Sequence, residues 1–213
     1  MAPTTKPKPS KPPSTGLRRR KLIPPIIQGN VTVGEHCVLG SQAEVRLNST
    51  TESVGLIGDG SLLGNFVSLY EGVQLQGDVV VEDNVHIGYD TVVGVGTRIM
   101  YGAYICDRVQ IGDGSRIAGF VCDTSVIGDG CTSMGNLVHA YSDPAGDWWG
   151  PDEASPVLQD GACIGMGAVV VGGVTIGAGA YVAAGAIVTK DVPANTLVTG
   201  TNQHQPRPRP NEA

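Results

Sequence analysis

Apolar residues recur every six positions along most of this chain. Stepping in sixes from Ile27 meets Val33, Leu39, Val45, Thr51, Ile57, Leu63, Leu69, Leu75, Val81, Ile87, Val93, Ile99, Ile105, Ile111 and Ile117, and Thr51 alone is not Val, Ile or Leu. The fourth residue after each anchor is small or aliphatic, as at Cys37, Ala43, Ser61, Val67, Val85, Thr97, Ala103 and Ser115. The register returns as Leu158, Ile164, Val170, Ile176, Val182 and Val188. A period of six does not fit a helical turn of 3.6 residues. It fits a short strand plus a turn, with side chains alternating inward and outward. Gly, often with Asp behind it, follows most anchors (Ile57-Gly58-Asp59, Ile111-Gly112-Asp113, Ile127-Gly128-Asp129), as tight left-handed turns require. Three hexads close a triangular coil of about 18 residues, and coils stack about 4.8 Å apart. One coil cannot bury its own anchors, whereas a stack forms a continuous aliphatic column. The pattern predicts an all-β solenoid over residues 25–200.

The pattern breaks twice. The phase slips between Ile117 and Ile127, which predicts a corner bulge or a small insertion near Phe120–Ser125 without chemistry of its own. In the new phase the anchors are Ile127, Ser133 and His139, and then the repeat stops until Leu158. Residues 140–157 are expected to form a protruding loop. It carries both Trp residues, Trp148 and Trp149, with Asp143, Asp147 and Glu153, in a chain that has only 2 Phe. Long excursions from a regular scaffold tend to be functional, so the Trp pair and the acids are candidates for substrate contact or for pinning the loop. His139, where the loop leaves, is the candidate general base, with a structural histidine at the coil mouth as the alternative. Asp143, Asp147 or Glu153 would orient its second ring nitrogen, with no choice among them.

Composition adds the ends and the compartment. Seven of the 14 Lys and Arg lie in the first 21 residues, leaving seven against all 20 acids in the rest of the chain. The head, residues 1–24, is basic, Pro-rich and poor in apolar residues. It is expected to be a solvated, disordered tail rather than a nucleic-acid arm. Residues 201–213 are expected to be an extended tail. No apolar stretch is long enough for a signal peptide or a membrane span. Five cysteines with no CxxC pair suit a reducing, cytoplasmic compartment, and packing accounts for Cys37 and Cys131.

With these residues in view, the chain resembles the hexapeptide-repeat, left-handed parallel β-helix superfamily, closest to its CoA-dependent sugar and antibiotic O-acetyltransferases. The left hand comes from that resemblance. It implies an acyltransferase that moves an acyl group from acetyl-CoA, or another acyl-CoA, to a hydroxyl or amine of a sugar, nucleotide sugar or similar small molecule. It also implies a homotrimer and no metal. His139, the loop to Pro156 and the re-entry through Cys163-Ile164-Gly165 match the catalytic segment in order and approximate spacing. The ending Ala183-Ala184-Gly185-Ala186-Ile187-Val188-Thr189-Lys190 resembles the family's CoA-binding close. Ala184 would give backbone contacts to pantetheine, Thr189 and Lys190 would lie near the nucleotide end, and Met166 is a weaker thioester-side match. The chain departs from the family at Gly200-Thr201-Asn202-Gln203, where Arg207 and Arg209 would have to supply the missing cation, and at Cys163, where many relatives have Trp. Two other classes stay open: a non-catalytic β-helix scaffold subunit, and a γ-type carbonic anhydrase. The spacing of His36, His86, His139 and His204 argues against the second.

Overall fold

A computed structural model describes residues 24–28, 31–40, 44–46, 55–140, 154–200 and 203–206. Every regular element among them is a strand, most of only two residues. The strands form three sheets of nine, eight and ten members, parallel throughout except for the last strand of the third, and successive strands up to Ile187–Val188 visit the three sheets in turn. The result is a left-handed parallel β-helix with three flat faces. The first face carries Ile87, Ile105, Val121, Leu137, Val170 and Val188 as inward residues in register. The second carries Val93, Ile111, Ile127, Leu158 and Ile176. The third carries Ile99, Ile117, Ser133, Ile164 and Val182.

These three columns are the core. All the aliphatic members are at most 3% exposed, and each Leu, Ile or Val contributes about 1.5–3 kcal/mol by leaving water. The small inward positions make a second, partly polar column whose hydroxyls bond between coils. Ser115 illustrates it: its N–H donates to Thr97 Oγ1 at 3.0 Å, while its hydroxyl donates to the Gly128 carbonyl at 3.0 Å. Ser133 differs, because it sits at an anchor position and its buried Oγ has no hydrogen-bond partner.

The Gly-Asp signal has a more specific cause than turn conformation. The Asp of one coil accepts a backbone N–H from the coil before it, as with Val95 N to Asp113 Oδ1 at 2.7 Å and Asp113 N to Asp129 Oδ1 at 2.8 Å. A Cβ at Gly112 would collide with that Asp129 carboxylate. The left-handed backbone falls two residues later, at Gly114 (φ 63°).

Three register expectations need correction. Val45 on the first face is followed on the second by Ile57, 12 residues on rather than six, and Thr51 lies outside the described residues. The slip after Ile117 is neither a bulge nor an insertion but a shortened corner, since the next inward residue is Val121. Two residues are missing from that corner, and Gly119 (φ 78°) lets the backbone close against the Gly135 carbonyl. The same shortening follows Ser133, so Leu137, fully buried, takes the anchor position expected for His139. A third short step joins Val188 to Val192, which bridges to Ile176.

At the C-terminal end, Thr196–Thr199 continues the third face in parallel, and Gln203–Pro206 turns back antiparallel against it. Among the described residues, no helix is long and apolar enough to cross a membrane.

Candidate active site

The corner between the first and second faces carries the chemistry. Two residues past the anchor, successive coils place Asp107, Asp123, His139, Gly172 and Lys190 along one edge. His139 therefore follows the strand Asn136–Val138 at the corner, half-buried, rather than pointing into the core. The excursion after it begins and ends at one point, because Ala140 and Ala154 form an antiparallel bridge. That bridge rests on Gly172, where a Cβ would collide with the Ala154 carbonyl. Gly173 N donates to the Ser155 carbonyl at 3.2 Å and holds the returning strand. Pro156 then fills an inward position, and the repeat resumes at Val157–Leu158.

Ser155 brings the polar groups together. Its hydroxyl lies 2.5 Å from the Asp123 carbonyl, 2.8 Å from Thr124 Oγ1 and 3.4 Å from His139 Nδ1. Thr124 is held at φ 58°, a left-handed conformation that a β-branched residue adopts only under constraint. The short corner at Ala118–Phe120 sets the phase that delivers Asp123 and Thr124 here. Sequence reasoning passed over Ser155, Thr124 and Gly172. The visible traces were the Gly172-Gly173 doublet and the polar run Asp123-Thr124-Ser125.

The other expected residues divide between two edges of the first face. Thr189 and Lys190, both exposed, share the edge with His139, and two coil steps put Lys190 about 10 Å further along the axis. Met166 and Ala184 lie on the opposite edge, between the third and first faces, where Gly185 N donates to the Met166 carbonyl at 3.0 Å. Met166 is 75% exposed. A Cβ added at Gly167 or Gly185, beside these two residues, would meet nothing within 4 Å, so the edge is open at these two turns. Asp143, Asp147, Trp148, Trp149 and Glu153, and likewise Arg207 and Arg209, lie outside the described residues.

A second cluster occupies the outer side of the first face, below the corner. His86 stacks on Tyr104 at 4.1 Å with rings 5° from parallel, Tyr104 continues to Phe120 at 5.9 Å, and Tyr70 closes on His86 at 4.7 Å. Burial among these rings lowers the His86 pKa, and the nearby Asp107 carboxylate partly opposes it. Burial raises Asp107 and Tyr104, and pushes the Cys106 thiol up to about 12, with Asp123 adding to it. All five cysteines are free thiols. Raised pKa values keep Cys106, Cys122 and Cys131 protonated and poorly nucleophilic. Among the described residues, no group of three or more His, Cys, Asp or Glu is placed to hold a metal ion.

Comparison with known proteins agrees with this architecture. Residues 155–190 match the bacterial transferase hexapeptide (six repeats) model, and residues 30–71 match the hexapeptide repeat of succinyl-transferase. The chain is thus a hexapeptide-repeat β-helix with transferase-type repeats at both ends of its coil. Among solved structures, it is similar in fold to the UDP-N-acetylglucosamine acyltransferase of Francisella novicida. The two share 14% identity and a TM-score of 0.53, over 83% of this chain and 65% of that one. The chain therefore spans about two thirds of that enzyme's length. A similar enzyme from Campylobacter jejuni is 12% identical over 85% of this chain and 72% of its own, with a TM-score of 0.47. The Bacillus cereus N-acyltransferase AntD, solved with dTDP and coenzyme A, is 17% identical over 86% of each chain, with a TM-score of 0.38. Curated protein sequences give no match.

Proposed function

We propose that this protein is an acyl-CoA-dependent acyltransferase, with acetyl-CoA as the default donor and a hydroxyl or amine of a sugar or nucleotide sugar as acceptor. The observation that carries the reading is the half-buried His139 at the root of the excursion that leaves at Ala140 and returns at Ala154, on the edge that also presents Lys190. Support comes from the transferase repeat match, which includes Met166, Ala184, Thr189 and Lys190. The residues present suit an acyl-CoA. Ala184 and the exposed glycines beside it leave backbone groups accessible to an extended pantetheine arm, and Lys190 offers a cation for phosphate on an otherwise acidic body.

The bound thioester supplies an activated carbonyl. His139 takes the acceptor's proton at Nε2 as the acceptor oxygen or nitrogen bonds to the thioester carbonyl carbon, and a backbone N–H of the coil corner balances the developing oxyanion; collapse of that adduct breaks the C–S bond and releases CoA, whose thiolate takes the proton back from His139. No covalent enzyme intermediate is needed, which fits the protonated cysteines. Trp148, Trp149, Asp143 and Glu153 are assigned to the acceptor side. We place the protein in the cytoplasm as a homotrimer, with residues 1–24 as a tail to the 25–200 solenoid; at the other end Gln203–Pro206 belongs to the third sheet rather than to a tail.

The test is direct. Purified protein is screened with acyl-CoAs against amino and hydroxyl acceptors, with thiol release as the readout. Release by the wild type and its loss in His139→Ala support the reading, and equal release by the two overturns it. Absence of release with every pair, together with no thermal shift on adding acetyl-CoA, favours the scaffold alternative.

A further inference from the structure

We propose that copies of this chain assemble through the outer side of the first face, which deepens the homotrimer reading and rests on it only for the number of copies. Composition sets this side apart. The two residues flanking each inward anchor, from Ser68 and Tyr70 to Ile187 and Thr189, include no Lys, Arg, Asp or Glu. The third face places Glu82, Arg98 and Arg116 at such positions. The second face is also uncharged there, but it has no aromatic side chain. Among the described residues, all five exposed aromatics, Phe66, Tyr89, Tyr101, Tyr104 and Phe120, lie on the first face or at its two edges.

The face fits a second copy in area, charge and stiffness. At about 200 Å² per aromatic side chain, these five exposures leave about 500 Å² of ring surface in water. Met166 and Ile187, 75% and 44% exposed, extend it. Together they make a patch of about 700 Å², above the roughly 300–600 Å² usual for a monomer and close to the ~800 Å² that each partner covers in a stable complex. Beyond residue 21 the chain has seven Lys and Arg against 20 acids, so two copies repel unless they meet where neither carries a charge. The rings are also held before any partner arrives. His86, Tyr104 and Phe120 stack at 4.1 and 5.9 Å, and Tyr70 sits against His86 and Tyr89 at 4.7 and 5.0 Å. Side chains fixed in this way lose little rotamer freedom on docking, and aromatic anchors of this kind dominate interfaces. A second copy presents the same flat row at the same spacing of about 4.8 Å.

Analytical ultracentrifugation of the full-length protein is the test, and it needs no substrate. The wild type is expected to sediment as a trimer. Tyr104→Glu and Phe120→Glu, which put a charge on the face, are expected to raise the dissociation constant by about 30-fold or more, the scale of an interface hot spot. Ile187→Glu lies outside the ring stack and serves the same purpose should either ring variant fail to fold, which thermal melts report. Val126→Glu, at a position 43% exposed on the second face, is the control and is expected to stay assembled. A wild-type trimer that survives all three first-face variants, or that Val126→Glu dissociates equally, overturns the face and leaves the homotrimer standing. A wild-type dimer that the first-face variants dissociate keeps the face and removes the trimer. A wild type that is monomeric at high micromolar concentration overturns both, and leaves the face to residues 141–153 or to a different protein.

Discussion

The coils from Ile57 to Ile117 and those from Val121 to Val192 share one kind of interior but differ at their corners. In the first region every step between inward residues is six, and each corner closes through a backbone turn, often with an Asp accepting an N–H from the coil before it. The second is entered by a step of four from Ile117 to Val121, and within it two more steps shrink to four and one opens to 21. Regular corners stack identical atoms and can only repeat. Shortened corners change which residue meets which, and this brings Asp123, Thr124, His139 and Ser155 to a common point. Asp107 marks the contrast, because it occupies on a regular coil the place that His139 takes on an irregular one.

The largest expected effect exploits that pair. His139→Ala should lower kcat by about 10²–10⁴-fold, the usual contribution of a general base, with an unchanged melting temperature. Asp107→Ala should do the reverse. It leaves kcat intact while removing the bond from Tyr89 N, at a cost of about 1 kcal/mol by denaturant titration. Equal activity losses in both would erase the distinction between the regions. Next comes Gly172→Ala, whose Cβ must push away the Ala140–Ala154 bridge. A displacement of that kind should reduce kcat about 10- to 100-fold, whereas Gly114→Ala on a regular corner should only strain a left-handed residue by about 1 kcal/mol. Steady-state kinetics beside thermal melts separate the two.

Smaller effects probe the interior and the aromatic stack. Ser133→Ala removes a buried hydroxyl that has no partner and should stabilise the fold by about 1 kcal/mol, raising the melting temperature by a few degrees; a fall would mean that the hydroxyl is satisfied. For His86 the sign follows from its lowered pKa. The unfolded chain takes up the proton at a higher pH than the folded one, so stability is full above the ordinary value of 6.5 and declines as pH drops through it. His86→Phe, which keeps the ring stack, should flatten that decline in melts at pH 7.5 and 5.5.

The solenoid was legible because its physics is local and repeated. Ile87, Val93 and Ile99 are buried for the same reason in every coil, and a period of six admits few other folds. The phase between Ile117 and the excursion was not legible, since a step of four hides inside a pattern that also tolerates Ser, Thr and Ala at inward positions, whereas the anchors from Leu158 to Val188 were legible. Leu137 and His139 both fit an anchor count, and only the three-dimensional register chose Leu137. His139 survived as a candidate because the resemblance gave its order relative to the break, although its expected inward position was wrong. Ser155 could not be found in sequence, because it meets Asp123 across a 32-residue separation that only the stacking of two short corners brings together.

The reversed strand Gln203–Pro206 bears on a hazard that every open-ended stack carries. A parallel coil is its own template, so the bare end of one molecule offers the next a surface on which to add, and such addition has no natural limit. Here the third face finishes with a strand of opposite polarity that includes Pro206, which has no N–H to give. A second molecule arriving end-on finds the wrong direction on one side of the triangle. The last described strand of the third sheet thus runs against its neighbour and has no N–H at Pro206 to offer an added strand, which distinguishes this face from the other two.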